Sequence, residues 1–239
     1  MSRPEVADAD DTLRSALIET CRQIARRALS HGTSGNVSVR RDATGFLISP
    51  TGMAYETLSP ADIPLVRLDG RWFGRRRPSS EWRFHRDILR ARPEVGAIVH
   101  THSLAASALA CTGQAIPAFH YMVAVAGGAD IRCAPYRTFG TQAVSDVALQ
   151  ALEGRRACLL GNHGVIALGA GLSQALALAG EVENLAATYL AARAAGTVRL
   201  LDEAEMRLVL ERFRTYGQQQ ATETDLVFAG EALPPGTSR

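Results

Sequence analysis

The chain has 239 residues, of which 46% are hydrophobic and 21% charged, enough to bury one sizeable core. Its net charge is only +2, from 26 basic against 24 acidic side chains, which argues against a nucleic-acid groove or a polybasic membrane surface. All 26 basic residues are arginine, so chemistry that needs a lysine ε-amine is excluded: Schiff-base aldolases, pyridoxal-phosphate enzymes and Walker-type nucleotide sites.

In chain order, residues 1 to about 10 are acidic and read as a loose start. Leu13, Leu17, Cys21, Ile24 and Ala28 then mark one apolar helix face, stopped by His31-Gly32. Asn36 to Arg40 and Gly45 to Ser49 read as a hairpin, with Pro64 to Leu68 as a third strand. Ser79-Ser80 open a helix that Pro93 ends, and Gly96 to His100 reads as a buried strand.

Helices are predicted over Ser103 to Ala110 and about Thr141 to Leu152. Apolar strands Ala157 to Leu160 and Val165 to Leu168 flank a tight turn at 161–164. A long Ala/Leu helix from Leu172 to Ala195 ends at Gly196, and a last helix from Asp202 to Phe213 opens with the box-like pair Asp202 and Glu205. Leu233 to Arg239 has the composition of a frayed tail. Hairpins mixed with helices, without linker or repeat, predict one α/β domain over 1–239, a sandwich with a largely antiparallel sheet.

Cys21, Cys111, Cys133 and Cys158 form no C-x-x-C pair and are expected to be buried thiols. An acidic N-terminus and the lack of any apolar run approaching ~18 residues predict a cytoplasmic protein with no membrane partner. Arg75-Arg76-Arg77 reads as a solvated charge run, and Gly169-Ala170-Gly171 as a loop, because Gln174 stands where a dinucleotide fingerprint needs glycine.

Three of the six histidines stand where a metal can use them. His100 and His102 are two apart at a strand end, so their side chains project from one face. His163 lies in the turn between two other strands, where a third imidazole completes a His₃ set with one position open. Glu81 is the nearest carboxylate with helix-start character. Three turns rich in Gly and hydroxyl groups, Gly32 to Asn36, Ser49 to Gly52 and Ser79-Ser80, offer N–H and O–H donors for a phosphate.

The colinear motifs Gly32-Thr33-Ser34-Gly35-Asn36-Val37-Ser38, Ser79-Ser80-Glu81-Trp82-Arg83-Phe84-His85, Val99-His100-Thr101-His102, His120-Tyr121-Met122, Ala126-Gly127-Gly128, Ala134-Pro135-Tyr136, Phe139-Gly140-Thr141 and Asn162-His163-Gly164 resemble the class II aldolase/adducin family over about residues 12–217. The resemblance implies a three-layer α/β/α sandwich. It implies a Zn²⁺ aldolase that cleaves L-fuculose 1-phosphate, or a close ketose 1-phosphate, to dihydroxyacetone phosphate and L-lactaldehyde. The implied metal ligands are His100, His102, His163 and Glu81, with Glu81 also the acid/base. Thr33, Gly35, Asn36, Thr51, Gly52, Ser79 and Ser80 are implied to hold the phosphate. A homotetramer with shared sites is implied, in which Tyr121 comes from a neighbour and Phe213 and Tyr216 close over the aldehyde.

This chemistry is coherent without lysine. Cleaving C3–C4 of a ketose 1-phosphate leaves an enediolate, and a metal acting as Lewis acid can hold its charge. Glu81 and Tyr121 are of suitable types for the transfers at C3 and at the C4 hydroxyl. L-ribulose-5-phosphate 4-epimerases resemble the chain but place Asp at position 81; sugar-acid phosphate decarboxylases share the histidines; a non-catalytic adducin-like head has no need of the four candidate ligands.

Overall fold

Side chains alternate across a strand, and the two faces of the central strands carry different apolar sets. On the strand Ala97–Thr101, Ala97 and Val99 point to one core while Ile98 points to the other, beside Phe84. The computed structural model describes residues 3–214, and both cores lie within them.

The elements are α1 (Arg3–Arg26), β1 (Asn36–Asp42), β2 (Gly45–Ile48), β3 (Leu65–Arg67), β4 (Trp72–Phe73), α2 (Trp82–Ala91), β5 (Ala97–Thr101), α3 (Leu104–Cys111), β6 (Cys133–Ala134), α4 (Gln142–Ala151), β7 (Ala157–Leu160), β8 (Gly164–Gly169), α5 (Leu172–Ala195) and α6 (Glu203–Arg212). The sheet has eight strands in the order β4-β3-β2-β1-β5-β8-β7-β6. Every neighbouring pair is antiparallel except β6 and β7. Helices α1, α3 and α5 cover one face and α2 and α4 the other, which makes the predicted three-layer sandwich.

Small residues let the layers approach closely. Ala175, Ala179 and Ala186 of α5 are fully buried against the sheet. On the opposite face Phe84 of α2 is fully buried, a burial that contributes about 1.5–3 kcal/mol. Among the described residues no helix is long and apolar enough to cross a membrane.

Three expectations need correction. The first helix begins at Arg3, where a loose segment was expected to about residue 10; Pro4 is tolerated in a first helical turn, and neither Gly nor a further Pro interrupts the run to Arg26. Only Cys21 and Cys158 are buried, while Cys111 is exposed and Cys133 half-buried. Arg75 and Arg76 are not a merely solvated run, because both pair with the buried carboxylate of Asp62 at 2.8 and 2.9 Å. Burial cannot be tolerated by an unpaired carboxylate, and the Ser59 hydroxyl, then Arg76 and Arg75, with the Ser59 N–H, hold Asp62 well below the usual carboxylate range.

Candidate metal centre and phosphate cavity

β1 and β5 pair so that Asn36 stands opposite His100. His100 is fully buried at the end of β5, and its Nδ1–H donates to the Val165 carbonyl at 2.8 Å. That bond fixes the tautomer and leaves the Nε2 lone pair facing outward. His102 follows just beyond the strand, its backbone N–H donating to Ser30 Oγ at 2.9 Å. His163 is presented by the turn between β7 and β8, where Asn162 takes the left-handed conformation at φ 53°. Glu81 stands immediately before α2, its side chain making no cap bond to the helix, and is buried.

Candidate ligand atoms of Glu81, His100, His102 and His163 all lie within 4.8 Å of one another. His100 Nε2 is 2.9 Å from His102 Nε2 and 3.0 Å from Glu81 Oε2, and His163 Nε2 is 3.3 Å from Glu81 Oε1. A tetrahedron of ligands at ~2.0–2.1 Å from a central ion has edges of roughly 3.3 Å, the scale found here. Glu81 Oε1 is buried without a hydrogen-bond partner, a costly state for a carboxylate oxygen unless a cation completes it.

The protonation states agree with a ligand set. Burial, and then the proximity of His100, pull His102 to about 3 and His163 to about 4, so both imidazoles keep their lone pairs at neutral pH. Burial by itself pushes the Glu81 carboxyl up, but His100, His163 and the Asn36 amide together outweigh it and hold the group below the usual carboxylate range. Three imidazoles and one carboxylate suit a divalent ion such as zinc better than magnesium, which prefers oxygen ligands.

Beside this cluster lies a cavity of about 290 Å³. The structure brings all seven residues expected at a phosphate, Thr33, Gly35, Asn36, Thr51, Gly52, Ser79 and Ser80, to its wall together with Glu81, His102 and His163. Two glycines are there for geometric reasons. Gly35 has φ +83°, and a Cβ on it would stand 2.8 Å from the His100 carbonyl oxygen; Gly52 has φ +68°, a region L side chains rarely occupy. The cavity is also lined by Tyr136, Phe139 and Asn162, which were not among the expected site residues although all three fall in the motifs quoted above. Tyr136 and Phe139 are each more than half exposed, giving its mouth an aromatic rim. A larger hollow of about 590 Å³ around Val95, Leu168 and Leu178 holds no cluster of metal ligands among the described residues.

Tyr121 does not line this cavity. It opens a 3₁₀ turn, Tyr121–Ala126, is about half exposed, stacks on His120 with ring centroids 4.8 Å apart, and lies 6.5 Å from the Phe213 ring. Tyr216 lies outside the described residues.

Residues 15–190 match the family model described as Class II Aldolase and Adducin N-terminal domain. The chain is 52% identical over 205 residues to a 5-methylthioribulose-1-phosphate/5-deoxyribulose-1-phosphate aldolase of Rhodospirillum rubrum, covering 86% of this chain and 92% of that protein. It is 45% identical over 206 residues to an L-fuculose phosphate aldolase of Escherichia coli K12, covering 86% and 95%. A solved L-fuculose 1-phosphate aldolase superposes with a TM-score of 0.82 at 38% identity, covering 85% of this chain and 96% of that one.

Proposed function

Because the chain belongs to the class II aldolase/adducin family, a family of metal-dependent lyases in this branch, we propose that it cleaves a ketose 1-phosphate between C3 and C4, releasing dihydroxyacetone phosphate and a short aldehyde. The observation that carries this reading is the convergence of three imidazoles and a buried Glu81 oxygen that makes no hydrogen bond, at the edge of a cavity rich in hydroxyl and N–H donors.

We assign zinc to His100, His102, His163 and Glu81. Bound there, it would polarise the ketose carbonyl and offset the negative charge that cleavage leaves on the C1–C3 fragment. Thr33, Gly35, Asn36, Thr51, Gly52, Ser79 and Ser80 hold the phosphate, which places the reacting carbons beside Glu81. Glu81 moves the proton at C3. Tyr121 of an adjacent copy, in a homotetramer, exchanges the proton of the C4 hydroxyl, and Phe213 and Tyr216 close over the aldehyde. These assignments rest on the resemblance of the motifs together with the exposure of Tyr121 on a single chain.

The relatives named above divide between two substrate types. Cleavage of 5-methylthioribulose 1-phosphate, 5-deoxyribulose 1-phosphate or L-fuculose 1-phosphate leaves an aldehyde ending in a CH₃S or CH₃ group. The exposed rings of Tyr136 and Phe139 supply an apolar rim for such an end. The greater identity to the R. rubrum protein favours the two pentulose phosphates. Zinc-loaded protein incubated with all three compounds, with coupled detection of dihydroxyacetone phosphate, tests the reading; release from none of them contradicts it, and the ranking of kcat/KM names the substrate.

A further inference from the structure

A chain of four buried polar side chains ends on Glu81. Ser38 Oγ is 2.7 Å from His85 Nδ1, His85 Nε2 is 2.5 Å from Asn36 Oδ1, and Asn36 Nδ2 is 3.2 Å from Glu81 Oε2. Ser38 and His85 are fully buried, and Asn36 and Glu81 almost so.

The direction of each bond follows from what the groups can do. The Glu81 carboxylate only accepts, so the amide edge facing it is the NH₂. The other edge, Oδ1, also only accepts, so His85 Nε2 carries the proton. His85 Nδ1 is then a lone pair and accepts from the Ser38 hydroxyl. Burial pulls His85 to about 3, so the imidazole stays neutral, as two bonds of opposite sense require. The stacked Phe84 ring, 4.6 Å between centroids, holds the imidazole in plane.

A carboxamide has two nearly isosteric orientations. Without a donor at Oδ1, the flipped form sets the amide oxygen against the Glu81 carboxylate. We propose that His85 is a positioning residue: its Nε2–H locks the Asn36 amide so that the NH₂ is presented to Glu81 and to the cavity that Asn36 lines. The inference rests on the aldolase reading for its effect on turnover, but not for the tautomer it requires.

Two amide replacements separate this role from mere filling of the core. His85→Gln places an N–H near the position of imidazole Nε2, whereas His85→Asn places its amide near Nδ1; both lose the ring. The expected result is that His85→Gln keeps kcat within about threefold while His85→Asn loses about tenfold or more at equal zinc content. In an Asn36→Ala background, changing His85 to Asn should have no further effect. Equal losses in the two variants, or a full tenfold loss persisting in Asn36→Ala, would overturn the proposal.

Nitrogen-15 NMR of the wild-type histidines gives a readout independent of turnover. His85, identified by its absence in His85→Gln, should show a neutral ring protonated at Nε2 from pH 6 to 8. The opposite tautomer, or a titrating ring, refutes the inference whatever the substrate proves to be. If the wild type cleaves no ketose phosphate while this tautomer is found, the functional reading fails and the positioning of Asn36 stands.

Discussion

Gly164 leaves the space in which His102 sits. A Cβ at position 164 would stand 2.8 Å from His102 Cδ2 and would press on the Thr101 carbonyl oxygen. The glycine that opens β8, directly after His163, therefore allows one candidate ligand to be carried past another. Gly164→Ala must move either β8 or the His102 ring, a strain of about 1–3 kcal/mol. We expect zinc affinity to fall by about tenfold or more with the fold retained, measured by competition with a chelator; unchanged affinity would show that His102 does not depend on this contact.

Metal removal should abolish aldol cleavage, and zinc should restore it. Because the ion binds the native state and not the unfolded chain, zinc-loaded protein should also melt higher than the chelated form. Elemental analysis should find about one transition-metal ion per chain in active protein, as one catalytic site demands. Active protein carrying a tenth of that would contradict the assignment.

Tyr121→Phe removes only a hydroxyl. If the phenol serves the C4 oxygen, cleavage should fall ~10²-fold or more, with zinc content unchanged. Since Tyr121 stands away from the cavity of its own chain, mixing Tyr121→Phe with Glu81→Gln protein should regenerate activity in hybrid oligomers that carry both wild-type groups at one site. Hybrids that form without recovering activity would exclude the shared arrangement.

Asp62 gives a pH dependence of stability with a definite sign. Its carboxyl is held below the ordinary range, chiefly by the Ser59 hydroxyl and then by Arg76 and Arg75. The stabilisation is therefore fully present above the unfolded carboxyl value of ~4 and is lost as pH falls below it toward the lower folded value. Asp62→Asn should destabilise the protein by about 1–3 kcal/mol at pH 7 and should flatten the decline in melting temperature as pH falls below about 4. An equally steep decline in the variant would show that other carboxyls carry it.

The metal cluster was legible because its determinants are local. Strand alternation brings His100 and His102 to one side, a tight turn presents His163, and a helix start presents Glu81. The cavity wall was legible for the same reason, since Thr33 to Asn36, Thr51-Gly52 and Ser79-Ser80 are turn sequences rich in donors. What stayed hidden depends on packing across the fold. The pairing of Asp62 with Arg75 and Arg76 needs the 3₁₀ turn at Pro60–Asp62 to face a loop more than ten residues on. Tyr136 and Phe139 reach the cavity in the segment that follows β6, which docks on β7 as the sheet's one parallel pair. Strands β4 and β6, of two residues each, are too short to show any periodicity.

The central claim, that Glu81 beside a bound divalent ion moves the C3 proton, is tested most directly by solvent-deuterium exchange into dihydroxyacetone phosphate in the absence of any aldehyde. Zinc-loaded wild-type protein should incorporate deuterium at C3. Chelation should stop the exchange, and Glu81→Gln with verified zinc occupancy should slow it ~10²-fold or more. Wild-type exchange rates in zinc-occupied Glu81→Gln protein would contradict the account.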